Sequence, residues 1–169
     1  YVIFRPHNVY GEYQNLGDRY RNVVGIFMNQ LMQGKPLTVF GDGSQTRAFS
    51  YIGDVAPYIA QCVNVPAAMN QVFNIGADQD YSVNELATTT MKAIGIEGEL
   101  RHLQARNEVL HAHSDHSKIR SVFKMNTPTS LYDGLKLMAD WARSAGIRKS
   151  PKFENIEITE KLPPVWLED

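Results

Sequence analysis

A single cysteine, Cys62, is the only thiol in these 169 residues, which excludes an internal disulfide framework and a cysteine-rich zinc site. No uninterrupted apolar stretch reaches the length needed to span a bilayer, and nothing resembles a signal peptide. Charge of either sign is scarce in the balance: 17 Lys and Arg stand against 18 Asp and Glu, a formal net charge of −1. A global bias toward nucleic acid or membrane is therefore absent, and the expected location is cytoplasmic. Internal repeats and low-complexity segments are missing as well. What remains is 43% apolar composition, enough to bury one sizeable core. The start also lacks something: Tyr1 to Phe4 reads as a buried strand with no methionine, polar lead-in or cap before it, so Tyr1 is expected to be a cut in a longer chain.

The most informative stretch is Phe40 to Val55. Gly41-Asp42-Gly43-Ser44 reads as a tight turn, because glycine reaches positive φ freely and Asp or Ser side chains bond back to nearby backbone. A strand follows. Its alternation puts Thr46, Ala48, Ser50 and Ile52 on one face and Arg47, Phe49 and Tyr51 on the other, with a guanidinium beside aromatic rings. A planar, permanently charged fork suits phosphate oxygens, and a neighbouring ring suits a base or sugar. The same residues also read as a turn whose arginine pairs with an Asp.

Tyr1 to Phe4, closed by Arg5-Pro6, has the pattern of a strand buried on both faces of a parallel sheet, and Val72 to Ile75 repeats it. His7 to Gly11 then leaves the sheet at its C-terminal edge, where open α/β sheets bind ligands. Asn8 there is either a ligand contact or a loop brace. Helical spacing predicts a helix over Val23 to Gln33 with Asn22 as cap and Gly34 as stop. Arg19 and Arg21 just ahead of it could draw anions or simply be solvated. A second helix is expected over Val55 to Val65, capped by Asp54 and holding Cys62 as a buried, inert thiol. Ser82 with Glu85 makes a capping box for a third helix through Ile94, ended by Gly95. A strand over Glu99 to Leu103, a short helix capped by Asp115 through Val122, and a last helix over Leu131 to Ala145 capped by Ser130 complete the pattern. That last helix carries a stripe of Leu131, Leu135, Met138 and Trp141. From Lys149 to Asp169 an extended surface tail is expected.

Two constellations resemble chemistry without supporting it. His111, His113 and His116 with Asp115 lack a spacing that would make them converge, so no metal is expected. Tyr132 and Lys136 match a Tyr-x-x-x-Lys dyad but follow no glycine-rich dinucleotide loop, so a structural role is expected.

Taken in order, Arg5-Pro6-His7-Asn8-Val9-Tyr10-Gly11, Tyr20-Arg21-Asn22-Val23-Val24, Leu37 to Arg47, Phe73-Asn74-Ile75-Gly76, and Arg106 with Glu108 resemble the C-terminal half of the nucleotide-sugar epimerases and dehydratases, the extended short-chain dehydrogenases. The resemblance implies an α/β fold: the C-terminal part of a Rossmann-type parallel sheet plus a small mixed α/β substrate-binding domain. It divides the chain into a nucleotide-sugar-binding half over residues 1–148 and a tail over 149–169. Arg47 and Arg106 resemble the arginines that clamp the diphosphate. Asn8 resembles the asparagine reaching phosphate or sugar, and Asn22 and Val23 the pair at a helix start that also holds the diphosphate. Thr38 and Phe40 resemble positions whose backbone reads the uracil edge. Glu108 stands at the ribose contact, although only Asn107 separates it from Arg106 where many members have two residues. Pro6 resembles a residue lying near the nicotinamide.

In that family the glycine-rich loop, the catalytic Ser or Thr and the Tyr-x-x-x-Lys dyad precede the strand that begins here. The resemblance thus implies a UDP-sugar as ligand, NAD bound mainly by the N-terminal half as partner, a homodimer of the intact enzyme, and no catalytic residue in this chain. A non-catalytic module of the same fold, binding a nucleotide sugar or a protein, is the alternative.

Overall fold

Residues 1–18 and 21–149 are described by the computed structural model. In chain order they form β1 (Val2–Pro6), β2 (Val9–Tyr10), α1 (Val23–Met32), β3 (Leu37–Phe40), β4 (Thr46–Ala48), β5 (Ser50–Tyr51), α2 (Ala56–Gln61), β6 (Gln71–Ile75), β7 (Asp80–Ser82), α3 (Val83–Ile94), β8 (Leu100–Leu103), β9 (His111–Ala112), α4 (Ser117–Val122) and α5 (Leu131–Ala145). Pairing is mostly parallel, as expected when helices connect the strands. β1 runs parallel to β6, with Val2 opposite Gln71 and Pro6 opposite Ile75. β2 pairs with β5 and β3 with β8, both parallel. β4 lies between antiparallel β7 and parallel β9. The architecture is mixed α/β.

Two apolar clusters hold these elements. The first gathers Phe27, Met28 and Leu31 of α1, Leu86 and Ile94 of α3, Leu135 and Met138 of α5, and Leu37 and Val39 of β3. The second packs Phe73 and Ile75 of β6 against Val55, Tyr58, Ile119 and Phe123. Each fully buried Leu, Met or Phe contributes roughly 1.5 to 3 kcal/mol, so the helices owe their positions to these faces more than to propensity.

Local signals set several boundaries as expected. Ser82 accepts from Glu85 N while the Glu85 carboxylate returns to Ser82 N, and Gly95 ends α3 at φ 66°. Ser130 accepts from Asp133 N to start α5. Asp115 is not the cap expected for α4: the N-cap is His116, with no side-chain cap bond, and Asp115 Oδ1 instead accepts from Ser117 N at 2.9 Å.

Other expectations are corrected. The strand predicted over Tyr1 to Phe4 runs Val2–Pro6 and is not buried on both faces: Ile3 is 47% exposed, because β6 is its sole strand neighbour among the described residues. Asp54 caps no α-helix. It lies in a 3-10 turn (Ile52–Asp54), and its carboxylate accepts from Thr129 N at 2.7 Å and Thr129 Oγ1 at 3.0 Å. The helix expected over Val55 to Val65 is only α2, and Cys62 opens the 3-10 turn (Cys62–Asn64) beyond it, half-buried. The strand through Arg47 is broken at Phe49 into β4 and β5. Arg148 is anchored to Asn29 through both its amide and carbonyl, at 3.1 and 3.0 Å. Residues 150–169 of the expected tail, with Arg19 and Tyr20, lie outside the described residues. Among the described residues no helix is long and apolar enough to cross a membrane.

Candidate functional site

β3 presents Leu37 and Val39 to the core and turns Thr38 and Phe40 the other way, as the two-residue period of a strand requires. That outer side is one wall of a cavity of about 190 Å³. The opposite wall comes from Asn8, in the loop after β1, and from Asn22 and Val23 at the start of α1. Arg47 of β4 and the segment carrying Arg106 and Glu108 close it. All eight residues singled out for substrate binding therefore line one cavity.

Their local geometry shows how each is held. Asn8 and Asn22 adopt positive φ, 43° and 58°, a region asparagine tolerates better than most side chains. Asn22 was expected to cap α1 and does not: its amide Nδ2 donates to Val9 O, and no side-chain cap forms. The helix entry is thereby fastened to the strand end that precedes it. Asn8 Nδ2 donates to Ala48 O at 3.0 Å, joining the same loop to β4. Thr38 is gripped by Gln30, whose Nε2 donates to Thr38 Oγ1 at 2.9 Å and whose Oε1 accepts from Thr38 N at 3.2 Å.

Among the described residues no aromatic face lies against Arg47, although its alternation suggested one. Its Nη1 donates to Thr46 O at 2.7 Å and Leu110 O at 3.2 Å, and its Nη2 to Val109 O and to Glu108 Oε2 at 3.4 Å. Arg106 takes the aromatic position, its guanidinium 4.4 Å above the Phe40 ring, and reaches the same Glu108 oxygen at 3.4 Å. Gln45 Nε2 donates to Glu108 Oε1 at 3.1 Å and to Phe40 O at 3.0 Å. A carboxylate thus sits where two guanidiniums and an amide converge. The arrangement is built for an anion, since planar forked donors match carboxylate and phosphate oxygens alike.

The sequence reading missed Gln45, Val39 and Val83, which line the cavity together with Phe49, the ring it had placed on the Arg47 face. Gln45 was legible, two positions from Arg47 in the same polar run. Val83 was not, because only packing brings the start of α3 here. Pro6 ends β1 opposite Ile75 and does not line this cavity. Arg21 pairs with Asp18. His111 bonds Thr46 Oγ1 at 2.9 Å, whereas His116 faces His7 and Asp78. Lys136 lies 2.6 Å from Asp140 and Tyr132 lies under Lys92, so the formal dyad is dispersed onto other partners.

The sequence model of the NAD dependent epimerase/dehydratase family matches residues 1–76. A Methanocaldococcus jannaschii protein, named provisionally as a UDP-glucose 4-epimerase, is 34% identical over 145 residues, covering 85% of this chain and 46% of its own length. The UDP-glucose 4-epimerase of Mycolicibacterium smegmatis is 29% identical over 140 residues, covering 82% of this chain and 44% of its own. The structure of UDP-glucuronic acid 4-epimerase from Bacillus cereus, in complex with UDP-glucuronic acid and NAD, superposes with a TM-score of 0.75 at 28% identity, covering 85% of this chain and 45% of that one. The chain spans about half the length of the curated relatives it matches. Its fold is that of the Rossmann-type epimerases and dehydratases.

The Gly41-Asp42-Gly43-Ser44 turn is held from both sides. Asp42 Oδ1 accepts from Ser44 N at 2.9 Å, and a Cβ on Gly43 would come within 2.1 Å of the Asn84 side chain. The turn is closed by α3 and opens no helix toward a phosphate, so this turn is not a glycine-rich dinucleotide loop.

Proposed function

We propose that this chain is the nucleotide-sugar-binding portion, a C-terminal half, of an NAD-dependent epimerase or dehydratase resembling UDP-glucose 4-epimerase. In this reading residues 1–148 form that portion and 149–169 a tail. Arg47 and Arg106 clamp the diphosphate of a UDP-sugar. Asn8, Asn22 and the amide of Val23 hold its remaining phosphate oxygens, where the start of α1 adds favourable dipole charge. Thr38 and Phe40 read the base through their backbone, and Glu108 leaves its arginines for the ribose when the diphosphate arrives. NAD takes up and returns hydride when bound, and it is held mainly by polypeptide outside these residues, with Pro6 at its margin. The acid-base pair lies there too, so this portion binds substrate without turning it over.

One observation carries the reading: eight residues drawn from five separated segments meet around one cavity whose charge centre is a guanidinium pair. Calorimetric titration of UDP, uridine and pyrophosphate tests it. UDP is expected to saturate the chain, pyrophosphate to bind more weakly and uridine weakest, since most of the charge-assisted bonds go to phosphate. Absence of any saturable heat with UDP at ~1 mM, where binding free energy has shrunk to about 4 kcal/mol, overturns the assignment.

A further inference from the structure

Behind the loop that delivers Asn8 to the cavity runs a line of titratable groups the nucleotide reading does not use. His7 Nε2 faces His116 Nε2 at 2.9 Å, the rings 14° from parallel with centroids 5.0 Å apart. His116 is 2% exposed, and its Nδ1 lies 2.7 Å from Asp78 Oδ1. Arg120 of α4 closes on Asp78 Oδ2, with Nη1 at 3.1 Å. Asp80 of β7 and Asp115 ahead of α4 are the other charges that act on the two rings. His7 is next to Asn8 in the chain, and Ser50 pins both: its Oγ donates to His7 O at 2.9 Å and its N to Asn8 O at 3.1 Å.

The proton count of this line is constrained. Arg120 holds Asp78 below the usual carboxylate range, against burial and with help from His116. An ionised Asp78 can only accept, so the proton between them sits on His116 Nδ1. The facing Nε2 atoms then need one proton between them. A neutral pair supplies it from His7. A singly protonated pair supplies it from His116, leaving His7 Nδ1–H for the Ala48 carbonyl, which favours it. A second added proton puts N–H on both Nε2 atoms at once, and two donors cannot stay 2.9 Å apart.

We propose that His7 is a positioning residue for Asn8, and that the His7–His116 pair is a proton-operated latch at that end of the cavity. The latch is closed while the pair carries at most one added proton and opens on the second. His7 is held below the ordinary histidine value, first by burial and then by His116. Its folded value lying below its unfolded one, the unfolded chain takes that proton first. The latch's contribution to stability is therefore present above about pH 6.5 and is lost as pH falls toward the lower folded value of His7, where the latch itself opens. Its effect on ligand affinity rests on the nucleotide reading; the latch itself does not.

Imidazole and backbone-amide NMR of the full chain, from about pH 8 to about pH 5, reads the latch directly. The two rings are expected to titrate as a coupled pair, with the Asn8 amide following the step of His7. Independent titration of the rings, or an Asn8 amide that ignores them, overturns the proposal. UDP affinity over the same range, in the wild type and in His7→Phe, supplies the second readout. The wild type is expected to lose about tenfold more affinity on acidification than the variant, in which UDP and the remaining histidines still titrate but the facing Nε2 pair is gone. Identical pH profiles refute the latch and leave the nucleotide reading standing. A coupled titration seen by NMR with no UDP binding at any pH does the reverse.

Discussion

Removing either arginine of the cavity should weaken UDP binding to a similar degree but should affect stability very differently. Arg47 is the more enclosed, its side chain 18% exposed against 40% for Arg106. Arg47 gives its N–H groups to the carbonyls of Thr46, Val109 and Leu110 and thereby pins the segment before β9 onto β4. Among the described residues Arg106 has only the Phe40 ring and a long contact to Glu108. A charge-assisted hydrogen bond is worth about 1.5 to 3 kcal/mol, so Arg47→Ala and Arg106→Ala should each reduce UDP affinity by about tenfold to about 150-fold. Arg47→Ala also strips donors from three carbonyls, an added stability cost of about 1 to 3 kcal/mol. Arg106→Ala should cost about 1 kcal/mol or less, the range of an exposed cation–π contact and a half-exposed ion pair. Arg47→Lys keeps the charge but loses the fork, and should fall between wild type and Ala in both measurements. Calorimetric titration with UDP gives the affinities and urea denaturation the stabilities. Unchanged affinity in Arg47→Ala would refute the diphosphate assignment. A stability loss in Arg106→Ala as large as in Arg47→Ala would refute the division of roles.

Gly134→Ala should destabilise the fold although alanine is the better helix former. The added Cβ would come within 2.3 Å of the buried Tyr10 hydroxyl, and overpacking at about 1 to 3 kcal/mol outweighs a propensity gain of about 1 kcal/mol; a raised melting temperature would show that Tyr10 yields. Ser82→Ala removes the N-terminal cap of α3 and should cost about 0.5 to 2 kcal/mol by urea denaturation, with an unchanged midpoint counting against the reciprocal box.

The Ser82–Glu85 box, the Ser130 cap and the Gly95 stop could be read without a structure because donor and acceptor lie within a few residues of each other. Amphipathic spacing identified the buried face of α5 for the same reason: its period is a property of the helix itself. The order of the motifs from Arg5 to Glu108 named the residues that meet at the cavity, though not what each one touches. Those contacts were decided by tertiary structure. Asp54 had a cap position locally but is drawn to Thr129, and Asn22 turns its amide to Val9 where a cap was expected. Glu108 is shared between Arg47 and Arg106, and His7 finds His116 across 109 positions. A side chain with two satisfactory partners is not committed by its sequence neighbours. Packing of the two apolar clusters sets which partner is within reach, and a buried polar group then takes it because leaving it unpaired would cost more.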